Sequence, residues 1–148
     1  RCTEPWIVVA GHHPIRSASR QGHDGRLQSV LLPELEQHQV SLYVSGHDHC
    51  YQRFGPNDRW RVPMVVSGGG GKRLYDIKED PRVRLGAESL HKAYHWCGAE
   101  ISGQVFRVVA RDVGGDVLDT FELPMPTGEQ LLRLKARNPA RAARIEAL

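Results

Sequence analysis

Long apolar runs are missing from this chain of 148 residues, although 40% of its residues are hydrophobic. No stretch approaches the ~20 apolar residues that a membrane-spanning helix needs, so no membrane span is predicted. The three cysteines, Cys2, Cys50 and Cys97, form no C-x-x-C pair, which argues against a zinc ribbon or a thioredoxin-like site. The formal net charge is only +3. The composition is that of an ordinary globular domain, and it does not single out nucleic acid as a partner.

Two apolar segments are each followed at once by a Gly-His motif. Residues 6–10 (Trp-Ile-Val-Val-Ala) lead into Gly-His-His-Pro at 11–14, and residues 42–45 (Leu-Tyr-Val-Ser) lead into Gly-His-Asp-His at 46–49. Apolar runs of this length are typical of buried strands. Imidazole is the commonest protein ligand for transition metals of intermediate softness, so the repeated motif indicates a metal site at the ends of two strands.

The order of side chains within the second motif separates two roles. Alternation along an extended chain sends His47 and His49 to one side and Asp48 to the other. We therefore expect His47 and His49 to point, with His12, into one metal-binding cleft. Asp48 is expected to orient an imidazole or to pair with a nearby base, and His13 is expected to pack or to make a supporting hydrogen bond.

A helix is predicted between the two motifs, at Gly25–Gln37, because its leucine and valine residues fall on one helical face. Pro33 is expected to kink or divide this helix, since proline removes a backbone donor and clashes with the preceding turn. A strand, a helix and a second strand make a β-α-β unit with a right-handed crossover. Both Gly-His motifs then lie at the carboxyl ends of parallel strands, where α/β sheets bind their ligands.

The second half of the chain has the pattern of strands and turns, followed by helices. Strands are predicted at 62–67, 93–102, 104–112 and 117–123, and the glycine turns between them indicate an antiparallel meander. The predicted fold is α/β of the α+β sandwich type, with a β-α-β unit, an antiparallel meander and a helical tail. Residues 1–126 are assigned to one domain and 127–148 to a basic helical tail. That tail is interpreted as a solvated face, with no nucleic acid partner.

The two Gly-His segments and the Val-Val-Ser-Gly-Gly-Gly-Gly segment at 65–71 resemble, in this order, the motifs of the calcineurin-like metallophosphoesterases. The resemblance is closest to the purple-acid-phosphatase-like branch, and it implies the C-terminal half of a four-layer metallophosphoesterase fold. It also implies a centre of two divalent or trivalent metal ions (Fe, Zn or Mn), in which His12 and His47 serve one ion and His49 the other. The implied activity is hydrolysis of phosphoesters by an acid-phosphatase-like monoesterase.

Other ligand motifs of that family are missing. The family carries Asp-rich, Gly-Asp-x-x-Asp/Tyr and Gly-Asn-His motifs ahead of the Gly-His motifs, but only ten residues precede Gly11, and neither Asn57 nor Asn138 is followed by His. A Gly-Asp-x-x-Asp segment does occur at 115–119, where it is interpreted as a hairpin turn. We therefore expect the missing N-terminal half of the domain to be a partner, and the chain alone to be inactive. The resemblance slightly favours a secreted or periplasmic protein.

The loop after the first motif supplies further candidates. In purple acid phosphatases a histidine of this loop can contact phosphate or protonate the leaving group, which makes His23 the candidate catalytic residue. Arg16 and Arg20 are candidates for substrate binding, because a guanidinium can hold phosphate oxygens with paired hydrogen bonds.

Three other functions fit the same residues. One is a phosphodiesterase or nucleotidase of the same superfamily, and another is a non-catalytic metal-binding or scaffold module. The third is a small zinc module, complete in itself, that uses His12, His47 and His49 with water. Metal analysis and the sequence upstream of residue 1 would separate them.

Overall fold

The computed structural model describes residues 2–19 and 22–148. None of the helices in these ranges is both long and apolar enough to cross a membrane. The elements, in chain order, are β1 (Val8–Gly11), α1 (Gly25–Gln37), β2 (Leu42–Ser45), β3 (Tyr51–Phe54), β4 (Met64–Ser67), α2 (Pro81–Arg84), β5 (Ala87–His91), β6 (His95–Ser102), β7 (Val105–Asp112), β8 (Val117–Leu123), α3 (Gly128–Arg137) and α4 (Pro139–Glu146).

The predicted β-α-β unit is confirmed. Strands β1 and β2 are parallel neighbours, and α1 joins them over the predicted range. Asp24 caps the helix by accepting a hydrogen bond from the backbone N–H of Leu27, 2.9 Å away. The expectation that Pro33 divides the helix is wrong, because α1 runs through Pro33 as one helix.

The first sheet has five strands in the order β1-β2-β4-β3-β5. Strand β4 is parallel to β2, whereas β3 is antiparallel to both β4 and β5. The predicted strand at 62–67 corresponds to β4, and its assignment to the antiparallel meander is wrong because it lies inside this mixed sheet. Strands β3 and β5 and the short helix α2 were not predicted.

The second sheet is the antiparallel meander β6-β7-β8. It packs on one face of the first sheet, where Phe106 and Val108 meet Leu42 and Val65 in a shared apolar core. The other face of the first sheet is covered by α1 and the loop that follows β1, through a second core. The result is a helix layer and two sheet layers, with the ends of β1 and β2 at one edge.

The two tail helices are also confirmed, and they pack against the rest of the chain. Asn138 begins α4 by accepting a hydrogen bond from the Arg141 backbone. The buried Arg141 guanidinium donates hydrogen bonds at 2.9, 3.0 and 3.2 Å to the backbone carbonyl oxygens of Pro5, His38 and Gln39. The proposed division of the chain between residues 126 and 127 stays a prediction.

Candidate metal centre

The carboxyl ends of β1 and β2 place the two Gly-His motifs side by side. Gly11 is paired with Ser45 in the parallel register. Immediately beyond, the backbone N–H of Gly46 donates to the carbonyl oxygen of His12 over 3.1 Å. Parallel neighbours end at the same edge of a sheet, so the first side chains after each strand share one site.

Three imidazoles form a cluster at this edge. His47 Nδ1 lies 3.1 Å from His12 Nε2, and the potential ligand atoms of His12, His13 and His47 all lie within 4.8 Å of one another. Two nitrogens that each bind a tetrahedral zinc at about 2.0–2.1 Å are about 3.3 Å apart. The separation of the His12 and His47 nitrogens therefore fits joint binding of one ion.

The backbone and the ionisation of His47 both favour a ligand role. His47 has a φ of 63°, in the left-handed region that non-glycine residues seldom adopt, and such local strain is typical of functional positions. The pKa of His47 is lowered from its ordinary value, first because burial desolvates the ring and then because His13 lies beside it. A lowered pKa favours the neutral imidazole, which is the form that binds metal.

His49 stands apart from this cluster and is held by a different segment. Its Nδ1 lies 2.8 Å from the carbonyl oxygen of Arg73, and its ring stacks on Tyr75 with the centroids 4.3 Å apart. Because a carbonyl oxygen only accepts, Nδ1 carries a hydrogen, and Nε2 is the nitrogen of the neutral ring that can bind a metal. The geometry leaves His49 able to bind a second ion through Nε2.

The grouping of the histidines differs from the sequence-based expectation in one respect. The ring of His13 lies 5.0 Å from that of His12 and 4.1 Å from that of His47, so His13 joins the cluster that His49 does not enter. The doubled histidine was the available signal. His13 had been expected only to pack or to make a supporting hydrogen bond; it follows the end of β1 at Gly11. The assignment of His12, His47 and His49 as metal ligands stays a prediction.

Asp48 points inward as predicted, but the partners expected for it are wrong. The side chain is fully buried, and its Oδ2 accepts hydrogen bonds from the hydroxyl groups of Ser17 and Ser19. It binds neither an imidazole nor a base among the described residues. Asp48 instead fastens the turn that carries His47 and His49 to the loop that follows β1.

Arg16, a predicted substrate-binding residue, lies in the loop that follows β1, and its side chain is buried. Its guanidinium stacks over the ring of Trp60 at 3.8 Å and donates to the carbonyl oxygen of Leu85 at 3.0 Å. Burial, and then the charge of Arg59, lowers its pKa to about 10. These contacts lie in the core beside α1, and none of them involves the histidine cluster.

His23, the predicted catalytic residue, is also engaged within its own loop. Its Nδ1 accepts a hydrogen bond from the backbone N–H of Ser17 at 3.1 Å, and its Nε2 lies 3.0 Å from Arg16 Nη2. Burial, followed by the charge of Arg16, lowers the pKa of His23 and favours the neutral ring. The third candidate of this loop, Arg20, lies outside the described residues.

The Gly-Asp-x-x-Asp segment at 115–119 is part of the β7–β8 hairpin. Asp119 accepts hydrogen bonds from Arg53 Nε at 2.6 Å and from the hydroxyl group of Tyr51 at 2.7 Å. It therefore ties the second sheet to the first. Within residues 2–19 and 22–148, the group of potential metal ligands contains three histidines and no carboxylate.

The glycine-rich turn after β4 lies directly against the second motif. A Cβ atom at Gly68 would stand 2.1 Å from the Asp48 carbonyl oxygen, whereas one at Gly70 would meet nothing within 4 Å. The absence of a side chain at Gly68 is what permits this close passage of two backbones.

We expect Gly68→Ala to lower the free energy of unfolding by about 1–3 kcal/mol, because backbone atoms of the Asp48 turn must move. Gly70→Ala is the matched control and should stay within about 0.5 kcal/mol of the wild type. Urea unfolding followed by circular dichroism measures both values. Equal stability of the two variants would contradict the close packing of these segments.

Comparison with known proteins identifies relatives over most of the chain. A family model described as calcineurin-like phosphoesterase matches residues 2–51. Purple acid phosphatase 4 from Arabidopsis thaliana is 46% identical over 122 residues, which cover 79% of this chain and 34% of that protein. The chain spans about a third of the length of the relatives that it matches.

Solved structures share the fold. Purple acid phosphatase PPD1 from yellow lupin (Lupinus luteus) seeds aligns with a TM-score of 0.66 and 17% identity, over 81% of this chain and 25% of that one. GAP50, the anchor in the inner membrane complex of Plasmodium, aligns with a TM-score of 0.70 and 23% identity, over 97% of this chain and 42% of that one. The motifs, the sequence relatives and the fold agree. The chain belongs to the calcineurin-like phosphoesterase superfamily, in its purple-acid-phosphatase-like branch.

Proposed function

We propose that this chain is part of a metal-dependent phosphoester hydrolase of the acid phosphatase type. The longer protein that joins it to the missing N-terminal half is called the parent protein below. The observation that carries the proposal is the 3.1 Å approach of His12 Nε2 and His47 Nδ1 at the carboxyl ends of two parallel strands. The name of the matching Arabidopsis relative, a purple acid phosphatase, supports the same activity.

Each histidine has a separate part in the proposed centre. His12 and His47 hold one ion through the nitrogens that face each other, and His49 holds a second ion through Nε2. The stacked Tyr75 ring and the Arg73 carbonyl oxygen fix the plane and the tautomer of His49 before any ion arrives. Iron, zinc or manganese suit these nitrogen donors. When bound, such ions supply an activated water at neutral pH and positive charge beside the phosphate oxygens.

An open cleft supports the proposal that a further part of the same domain packs against this chain. Strand β1 lies at one end of the first described sheet, and β6 lies at one end of the second. Between them lies an apolar cleft of about 550 Å³, lined among others by Val8, Ala10, Val44 and Phe106. Val8 is 46% exposed there. We propose that further strands of the parent protein cover this cleft and that the attached loops supply the carboxylate and asparagine ligands.

The roles of the loop residues stay predictions. The contacts of Arg16 with Trp60 and Leu85, and those of His23 with Ser17, favour a role in holding the loop rather than in binding phosphate. Substrate contacts in the parent protein then come chiefly from the missing half.

A scaffold function is the second candidate, because the same fold occurs in GAP50, described as an anchor. The fold alone does not separate an anchor from an enzyme. The clustered His12 and His47 favour the enzyme, since an anchor has no need to bring two imidazole nitrogens within bonding distance of one ion.

The test compares the parent protein with this chain alone. We expect the parent to contain close to two metal ions per molecule and to hydrolyse p-nitrophenyl phosphate faster than bis(p-nitrophenyl) phosphate. The chain alone should bind metal weakly and show little or no turnover, because the described site lacks oxygen ligands. Metal analysis by mass spectrometry and release of p-nitrophenol measure these quantities.

Three results would change the proposal. A parent protein without metal or turnover supports the scaffold. Preference for the diester supports a phosphodiesterase. Tight stoichiometric metal and full turnover in the isolated chain would overturn the proposed missing half.

A further inference from the structure

Asp48 lies between the two histidines of the second motif and is fully buried. We propose that Asp48 is a positioning residue, which sets the directions of His47 and His49 by fastening their turn to the loop that follows His12 and His13. This inference rests on the proposed function, since it assumes that these histidines bind metal. Asp48 itself does not touch the ions.

The carboxylate is held by two hydroxyl groups of one loop. Ser17 and Ser19 both donate to its Oδ2, and the Ser19 backbone N–H donates to the Ser17 hydroxyl group at 3.0 Å. Both serines are fully buried. The loop that contains them begins directly after the Gly-His-His-Pro motif, so a single carboxylate connects the two segments that bear the proposed ligands.

Gln52, at the start of β3, extends the same connection. Its Oε1 accepts from the backbone N–H of Ala18 at 2.6 Å, and its Nε2 donates to the Ser17 hydroxyl group at 3.0 Å. These hydrogen bonds join the loop, the turn and β3 in one buried network.

The backbone on both sides of Asp48 needs such a constraint. His47 is in the left-handed region, a conformation that persists only when its surroundings determine it. On the other side of the turn, Gly68 packs against the Asp48 carbonyl group. The Asp48 side chain is buried, whereas His47 and His49 on either side of it are partly exposed.

Stability alone does not account for a carboxylate at this position. The Oδ1 atom of Asp48 is buried and has no hydrogen-bond partner among the described residues. The two groups that donate to Oδ2 are neutral hydroxyls. A buried and partly unsatisfied carboxylate is costly. Asp48 lies between two proposed metal ligands, and metal ligands must be held within a narrow geometry. A positioning role explains why a costly buried carboxylate occurs here.

The experiment uses the parent protein with Asp48→Ala, Asp48→Asn and Asp119→Ala. Asp48→Ala removes both serine contacts, whereas asparagine keeps an oxygen that accepts them. Asp119→Ala is the matched control, because Asp119 is also a well-packed, hydrogen-bonded carboxylate but contacts Arg53 and Tyr51 instead. Stability is measured on the metal-free proteins by thermal unfolding. Affinity for Zn²⁺ is measured by competition with a chelating dye, and site geometry by the visible spectrum of the Co²⁺ form.

We expect Asp48→Ala to weaken Zn²⁺ binding about 10-fold, the lower end of the loss found for direct partners of a ligand, and to alter the Co²⁺ spectrum, because the turn that carries His47 and His49 loses its attachment. Asp48→Asn should stay within about threefold of the wild type, because its oxygen still accepts from the serines. Asp119→Ala should lower the unfolding temperature without changing affinity or spectrum. If Asp48→Ala does not fold, Ser17→Ala and Ser19→Ala should each weaken binding in its place.

The outcomes separate this inference from the proposed function. If the wild type binds Zn²⁺ and every Asp48 and serine variant binds equally well, Asp48 is not a positioning residue and the phosphatase proposal stands. Equal losses in Asp48→Ala and Asp119→Ala would show a general effect of instability and would also overturn it. Equal losses in Asp48→Ala and Asp48→Asn would assign the effect to charge rather than to hydrogen bonding, and would overturn the proposed attachment through the serines. A wild type that binds no metal removes the basis of both.

Discussion

Replacing His47 or His49 with alanine in the parent protein is expected to lower turnover of p-nitrophenyl phosphate more than about 100-fold. Removing a residue that merely supports a metal ligand costs about 10–100-fold in affinity or activity, and removing the ligand itself should cost more. Each variant should also lose metal, because one nitrogen donor of the proposed centre is gone. Turnover and metal content are measured on the same preparations.

His38→Ala is the control for this pair. His38 follows α1, its side chain is 68% exposed, and its Nε2 lies 3.9 Å from a carboxylate oxygen of Glu34 at the surface. Turnover and metal content should match the wild type. His95 is unsuitable as a control, since it is buried and its Nε2 lies 3.0 Å from the Ser67 hydroxyl group. Comparable losses in His38→Ala and His47→Ala would show that our sorting of histidines is wrong.

Arg141→Ala is expected to lower the free energy of unfolding by about 2–4 kcal/mol, since three backbone carbonyl groups lose their donor at once. The Arg141 side chain is 1% exposed, and it joins α4 to the start of β1 and to the end of α1. Burial lowers its pKa but leaves it a cation. Lysine in its place cannot reach all three oxygens, so Arg141→Lys should recover only part of the loss.

Arg144→Ala provides the comparison on the same helix. Its side chain is 58% exposed and pairs with Glu4 at 3.4 Å, so the loss should stay below about 1 kcal/mol. Urea unfolding in the parent protein measures all three variants. If Arg141→Ala and Arg144→Ala lower the free energy of unfolding by the same amount, Arg141 does not attach the tail to the domain as described.

Elements with strong local signals could be predicted from the sequence. The helix Gly25–Gln37 was found with its observed bounds, because its apolar residues repeat with a helical period. The strand Val117–Leu123 was found because it follows a glycine turn. The strand Tyr51–Phe54 was not found, because two of its four residues are polar and only distant partners keep Gln52 buried.

The location of the candidate site could be predicted from the sequence, whereas the grouping of its histidines and the contacts that support them could not. Two apolar runs that end in Gly-His were enough to predict the shared edge of β1 and β2. No local pattern shows that Arg16 stacks on Trp60 or that Asp48 accepts from serines in another loop. Those contacts join residues far apart in the chain, and packing alone decides which buried polar groups meet.

The position of β1 at the end of the first sheet has a consequence for the behaviour of this chain when it is produced alone. Strand β1 has a single neighbour, β2, among the described residues, and its outer backbone groups therefore lack a strand partner there. An uncovered strand edge next to exposed apolar side chains is a template for pairing between copies of a chain. A fragment released by proteolysis or made from a truncated message is thus prone to aggregate. Its clearance by chaperones and proteases would compete with any function of its own.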